Sequence, residues 1–137
     1  MGQDRGFTLI ELMLVIIIIG FLVAMAVPRL TGKSQQARIA TTKADIDSNL
    51  SVALDLFELD NGRYPTTQEG LQALVKSAPG APSWKGPYLK KGVPQDPWAR
   101  AYVYRSPGRM NPEDYDLLSY GPDGVEGGGD DITNKRE

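Results

Sequence analysis

The sequence predicts an α+β protein: a long N-terminal helix, apolar through its first half, packed against a short helix and a small antiparallel sheet. Three observations predict it. A nearly uncharged run, GFTLIELMLVIIIIGFLVAMAVP, occupies residues 6–28. A helical pattern free of Gly and Pro follows from Ser34 to Leu59. Beyond it prolines and glycines accumulate, and two short segments alternate side-chain character in the manner of strands.

The chain has 137 residues, 41% of them hydrophobic, which is one domain's worth of sequence. The apolar run takes about twenty of those residues away from any soluble core, so that core must be small. Net charge is −2, and Lys and Arg are spread along the chain rather than gathered on one stripe, which argues against a nucleic-acid partner. With no Cys and no His, the chain lacks thiol chemistry, disulfides, the usual zinc ligands and the commonest general base. Any metal it binds should be a hard one held by oxygen, such as calcium or magnesium.

From Phe7 to Val27 the only charge is Glu11. At about 1.5 Å per residue this stretch reaches roughly 30 Å, the thickness of a bilayer core. A removable secretory signal would need a shorter apolar core, and Ala24-Met25-Ala26 as its cleavage site; the length and the internal acid favour a span. Arg5 precedes the span while Arg29, Lys33, Arg38 and Lys43 follow it, so charge counting alone would keep the C-terminal part in the cytoplasm. A carboxylate costs about 2.5–3.5 kcal/mol at the centre of a membrane helix, so Glu11 needs an explanation. Either it snorkels at the membrane surface, or it meets a partner that the span does not contain.

Pro28 and Gly32 predict a kink or local melting, after which the helix continues to about residue 60. Ile39, Ile46, Leu50, Ala53 and Phe57 fall on one face, while Lys43, Asp47, Ser51, Asp55 and Glu58 occupy others. Asp60-Asn61-Gly62 is the stop signal, with Asn or Gly in the left-handed cap position. Thr66 with Glu69 three residues on predicts a capped second helix whose buried stripe is Leu71, Leu74 and Val75. Between residues 78 and 97, prolines at 79, 82, 87, 94 and 97 favour extended and turn structure. Trp84, Tyr88 and Trp98 read as plugs of a small core. RAYVYRSPG (100–108) and DYDLLSYG (114–121) are the predicted strands. An enzyme would have to draw its acids from Asp96, Glu113, Asp114 and Asp116, which show no recognisable pairing.

The C-terminal stretch SYGPDGVEGGGDDITN concentrates Asp123, Glu126, Asp130 and Asp131 among glycines. It is either a solvated tail or a loop that needs a counterion, because such a segment otherwise repels itself and loses backbone entropy on ordering. Its spacing is not that of an EF-hand.

Two sets of motifs carry a resemblance. Gly6-Phe7-Thr8-Leu9-Ile10-Glu11 resembles the processing site of the type IV pilin and pseudopilin superfamily. NGRYPTTQEGLQALV, GPYLKK, PQDPW and YDLLSYGPDG are similar to successive signatures of the major pseudopilins of the type II secretion system. The first motif would suit any pilin-like subunit, including a type IV pilus or competence pilin; the later ones are far more selective. The resemblance implies a pilin-like fold and a division into a leader (1–6), a transmembrane assembly helix (7–27) and a periplasmic domain (28–137). In that domain, loop and sheet would fill 61–119 and a calcium loop 120–134. It implies cleavage by a prepilin peptidase between Gly6 and Phe7, and N-methylation of Phe7. Glu11 of one subunit would then neutralise the Phe7 amine of a neighbour. For the loop it implies one Ca2+ held by the side chains of Asp123, Asp130 and Asp131 and by the carbonyls of Tyr120 and Gly128. It implies a single-pass protein of the bacterial inner membrane that polymerises into a helical filament, and no enzymatic activity. The expected partners are further copies, minor pseudopilins and an inner-membrane secretion platform. No G-x-x-x-x-G-K-[ST] loop is present, so ATP would be hydrolysed by a separate ATPase.

Overall fold

Helix dominates the N-terminal half of the chain because nothing between Leu9 and Asn61 breaks it for long. A computed structural model of the chain describes residues 6–135. Helix α1 spans Leu9–Ala44, a π-helical turn Asp45–Leu50 follows, and helix α2 spans Ser51–Asn61. The start is capped by Thr8, whose hydroxyl accepts the Glu11 N–H at 3.3 Å and whose carbonyl accepts the Leu12 N–H at 3.2 Å. The end is Gly62, at φ 73° in the left-handed region, with its N–H donated to the Glu58 carbonyl at 2.7 Å. Of the expected kink or local melting, the single chain shows no melting: the backbone stays helical through Pro28 and Gly32. A proline removes one ladder bond and crowds the preceding turn, which a long helix absorbs without ending.

The chain divides into two units, residues 1–37 and 38–137. In the first, Leu9–Ala26 has a mean hydropathy of 2.9 and is long and apolar enough to cross a membrane. Its large apolar side chains, from Phe7 and Leu9 to Val23 and Met25, are exposed. The expected leader falls almost wholly on residues 1–5, which lie outside the described residues.

The second unit holds the core. Ile46, Leu50, Ala53, Leu54 and Phe57 from the π-helical turn and α2 meet Leu71, Ala73 and Leu74, with Tyr102, Tyr104, Tyr115, Leu117 and Ile132 from the sheet side. Ile39 and Val75 pack against its edge, as the helical spacing predicts. Trp84, Tyr88 and Trp98 are half-buried plugs of this core. The Trp84 indole donates to the Ala73 carbonyl at 2.7 Å, and the Tyr88 hydroxyl donates to Asp60 at 2.8 Å. Both rings thereby satisfy their polar atoms at the core's edge.

The second helix is shorter than the sequence predicts. Its capping box forms reciprocally, with the Thr66 N–H donated to Glu69 at 2.8 Å and the Glu69 N–H to the Thr66 hydroxyl at 3.2 Å. Gly70 then turns to φ 60°, and only a 3₁₀ turn, Leu71–Leu74, follows. Arg63 closes the same corner: it forks onto the Glu69 carboxylate at 2.7 and 2.8 Å and donates to the Gly80 carbonyl at 2.6 Å. This hydrogen-bonded guanidinium holds the Glu69 carboxyl down at about 2, from an ordinary value near 4.5. Because the folded value is the lower one, the stability from this group is full above about pH 4.5 and is lost as pH falls through about 2. Acid unfolding curves should show it: Glu69→Gln should be less stable than the parent at neutral pH, with the difference shrinking between pH 4.5 and 2.

Three antiparallel strands, β1 (Val103–Arg105), β2 (Asp116–Ser119) and β3 (Ile132–Thr133), form a sheet in that order. Val103 faces Leu118 and Arg105 faces Asp116, while Ser119 faces Ile132. The first two strands are trimmed relative to their sequence patterns. Pro107 has no N–H to donate, and the N–H groups of Arg109, Met110 and Asn111 go instead to the Asp116 carboxylate, at 2.6, 2.9 and 3.0 Å. Strand β3 lies inside the stretch expected to be loop, so the acidic segment is a β2–β3 connection over residues 120–131. Its two ends are thereby tied to one sheet.

Candidate functional site

The sequence points to two sites, one at the start of α1 and one in the β2–β3 connection. At the first, no described residue approaches the point where a side chain on Gly6 would project, and Phe7 is exposed. Glu11 sits in the first turn of α1 with its backbone tied to Thr8. Its carboxylate is exposed, at the end of the helix where the dipole favours negative charge.

In the connection, the loop folds Asp123 back over Gly128. A side chain at Gly128 would collide with the Asp123 carboxylate and come within 2.9 Å of Asp130 Oδ1, so both carboxylates face the same point. The Asp123 N–H donates to Asp130 Oδ2 at 3.2 Å, and Asp123 Oδ1 accepts the Val125 N–H at 2.9 Å. Asp131 Oδ2 accepts the Gly127 N–H at 2.8 Å. The Tyr120 carbonyl accepts the Gly124 N–H at 3.3 Å, which leaves it one lone pair, and Gly128 is exposed at the turn. Thus Asp123, Asp130 and Gly128 come together and Asp131 lies beside them. Among the described residues, no three acidic side chains are gathered closely enough to hold a metal by themselves.

The loop's donor chemistry fits a hard cation. Every donor is an oxygen. Asp130 Oδ1 and Asp131 Oδ1 are buried without a hydrogen-bond partner, a costly state for carboxylate oxygens that a divalent cation would relieve. Glu126, the fourth acid of the loop, is committed elsewhere: Arg105 binds it at 2.8 Å and holds its carboxyl below the ordinary range, and Tyr120 donates to it at 3.4 Å.

Several residues that shape this site have no signature in the sequence. Asp96 is buried; its Oδ1 accepts the N–H groups of Trp98 and Arg100 at 3.1 and 2.8 Å, and its Oδ2 accepts the Ser119 hydroxyl at 2.7 Å. Asp116 is fully buried under the N–H groups of residues 109–111. Both acids thus organise backbone, and neither pairs with another acid. The Asp96 turn places Ala99 at φ 62°, the one described non-glycine residue in the left-handed region. A left-handed conformation costs an alanine about 1–2 kcal/mol, and glycine adopts it freely at some cost in unfolded-state entropy. Ala99→Gly should therefore raise stability by about 0.5–1 kcal/mol, read as a higher denaturant midpoint at unchanged slope.

A capped apolar helix with a Gly–Phe pair at its start, followed in sequence by a small α+β domain, defines the class of pilin-like proteins that carry an N-terminal methylation signal. The model of the prokaryotic N-terminal methylation motif matches residues 1–27, and that of the type II secretion system protein G matches residues 29–135. The chain belongs to the type II secretion system protein G family, the major pseudopilins, and is a pseudopilus subunit. Among its relatives, the type II secretion system core protein G of Pseudomonas aeruginosa is 48% identical over 96% of this chain and 95% of its own length. That of Escherichia coli K12 is 47% identical over 96% and 91%. The crystal structure of the major pseudopilin from the type 2 secretion system of enterohaemorrhagic Escherichia coli superposes with a TM-score of 0.66 at 37% identity, covering 77% of this chain and 88% of that one.

Proposed function

We propose that this pseudopilin is inserted in the bacterial inner membrane through residues 7–27, with residues 28–137 in the periplasm, and is trimmed between Gly6 and Phe7 by a prepilin peptidase. Phe7 is then N-methylated, and the mature chain joins a helical filament with further copies and with minor pseudopilins. The filament drives folded exoproteins through the outer membrane. Its extension is powered by an ATPase of the inner-membrane secretion platform, since this chain carries no phosphate-binding loop. The subunit itself acts as a structural part and not as an enzyme.

The observation that carries this reading is the lone acid of the apolar helix. Trimming creates an ammonium group on Phe7, and Glu11 stands one helical turn along, in a segment with no other charge. The apolar surface of residues 9–26 is exposed in the single chain, and a membrane and then neighbouring helices give it an apolar environment. Mass spectrometry of the mature protein tests the processing step. The expected N-terminus is a methylated Phe7; a chain starting at Val27, after Ala24-Met25-Ala26, would show that the apolar segment is a discarded signal.

The same reading gives the β2–β3 connection one structural Ca2+, held by the side chains of Asp123, Asp130 and Asp131 and the carbonyls of Tyr120 and Gly128. When bound, the ion would neutralise the converging carboxylates of Asp123 and Asp130 and that of Asp131 beside them. What supports it is the convergence of Asp123 and Asp130 at Gly128 and the two unpartnered oxygens of Asp130 and Asp131.

A further inference from the structure

The acidic connection is not held alike along its length. Its first half, residues 120–126, rests on cations of the chain itself. The Arg100 guanidinium donates to the Gly121 carbonyl at 2.7 Å and reaches the Pro122 carbonyl at 3.5 Å. Gly124, at φ 72°, lies directly on it: a side chain there would sit within 2.5–2.8 Å of three guanidinium atoms. The Gly121 N–H is taken by the Ser119 hydroxyl at 3.2 Å, and Arg105 ties down Glu126 at 2.8 Å. Arg100 is itself aimed by the buried Asp96 turn, which binds its N–H and bolts onto Ser119 at the end of β2. The second half, residues 127–131, has no such support. Its acids accept backbone N–H groups, two carboxylate oxygens are left over, and among the described residues no Lys or Arg forms an ion pair with Asp123, Asp130 or Asp131.

We propose that Arg100 is a positioning residue for the calcium loop: it holds the turn that carries Asp123 in place without the metal, so that the ion has to order only residues 127–131. This rests on the calcium reading above. The physical basis is pre-organisation. A charge-assisted bond from a half-buried guanidinium to one carbonyl, with close packing under a glycine, keeps 120–126 folded. The binding free energy of the ion is then spent on fewer residues. Arg100 also places a positive charge near the site, which by itself would weaken cation binding. The two effects have opposite signs, so experiment separates them.

The test is hydrogen exchange, read by mass spectrometry on the full chain in detergent, with calcium and with EGTA. In the parent protein EGTA should speed exchange of residues 127–131 about tenfold or more and leave 120–126 nearly unchanged. In Arg100→Gln, EGTA should release 120–126 as well, excess calcium should restore both halves, and the calcium needed for half-protection of 127–131 should rise about tenfold. Protection of α2 reports that the variant is folded. If Arg100→Gln loses it, Arg100→Lys, which keeps the charge and one donor, is read the same way at smaller amplitude. Three results would overturn the proposal: both halves of the parent opening together in EGTA, 120–126 of the variant staying as protected as the parent's, or tighter calcium binding by the variant. The calcium reading itself fails separately, if exchange of residues 127–131 in the parent ignores EGTA.

Discussion

Glu11→Ala should yield a protein that inserts and is trimmed normally but forms almost no filaments. The alanine variant loses nothing that insertion requires; it removes the one charge of the apolar run, so insertion should if anything improve. Assembly is different. An ammonium and a carboxylate about 4 Å apart at an effective dielectric near 20 attract by about 4 kcal/mol, and a filament repeats that contact at every subunit. Removing one partner leaves each Phe7 ammonium unpaired among apolar helices, so the yield of sheared filaments and of crosslinked ladders should fall more than about a hundredfold. Glu11→Gln separates charge from shape, since it keeps length and hydrogen-bonding capacity. It should fail as alanine does, and normal filaments from the glutamine variant would refute the charge pairing. The Thr8 cap is made to the backbone N–H of Glu11, which both variants retain, so loss of the helix start is not a competing explanation.

Removing calcium should produce the second large effect. An ion present at about a hundred times its dissociation constant stabilises the folded state by about 2.7 kcal/mol. For a unit of about 100 residues that is about 10 °C or more in melting temperature. EGTA should lower the melting temperature of the parent by that amount. Asp123→Ala should lower it similarly and abolish the response to EGTA, because Asp123 supplies one of the two carboxylates converging at Gly128. Magnesium should restore little, since it demands near-octahedral geometry and parts reluctantly with its water. A parent protein indifferent to EGTA would remove the ion from the account and leave Asp130 and Asp131 without an explanation for their unpartnered oxygens.

These two sites were legible to different depths. Glu11 stands out in any reading, because a single charge in an apolar run has no local excuse. The acids of the C-terminal loop are conspicuous by composition, but their pairing is not: Asp123 meets Asp130 while Glu126, equally acidic and closer in sequence to both, is drawn away by Arg105 across 21 residues. The capping box at Thr66 was readable and forms, yet the helix it announces shrinks to one 3₁₀ turn because Gly70 adopts a positive φ. Strand β3 was hidden by its length; Ile132–Thr133 is too short to show a period and exists only because β2 offers it an edge.

By itself the sequence determined what depends on spacing along one element. It set the apolar length of the first helix, the face that Ile46, Leu50, Ala53 and Phe57 present to the core, and the stop at Gly62. Each follows from a fixed helical rise, a fixed period or the steric freedom of one glycine. Only the tertiary structure decided how the acidic connection is held. Asp96 reaches Ser119, Arg100 reaches Gly121, and Asp116 gathers the amides of residues 109–111. Such contacts join segments whose local patterns carry no trace of one another, because a buried charge is satisfied by whatever the packed chain brings to it.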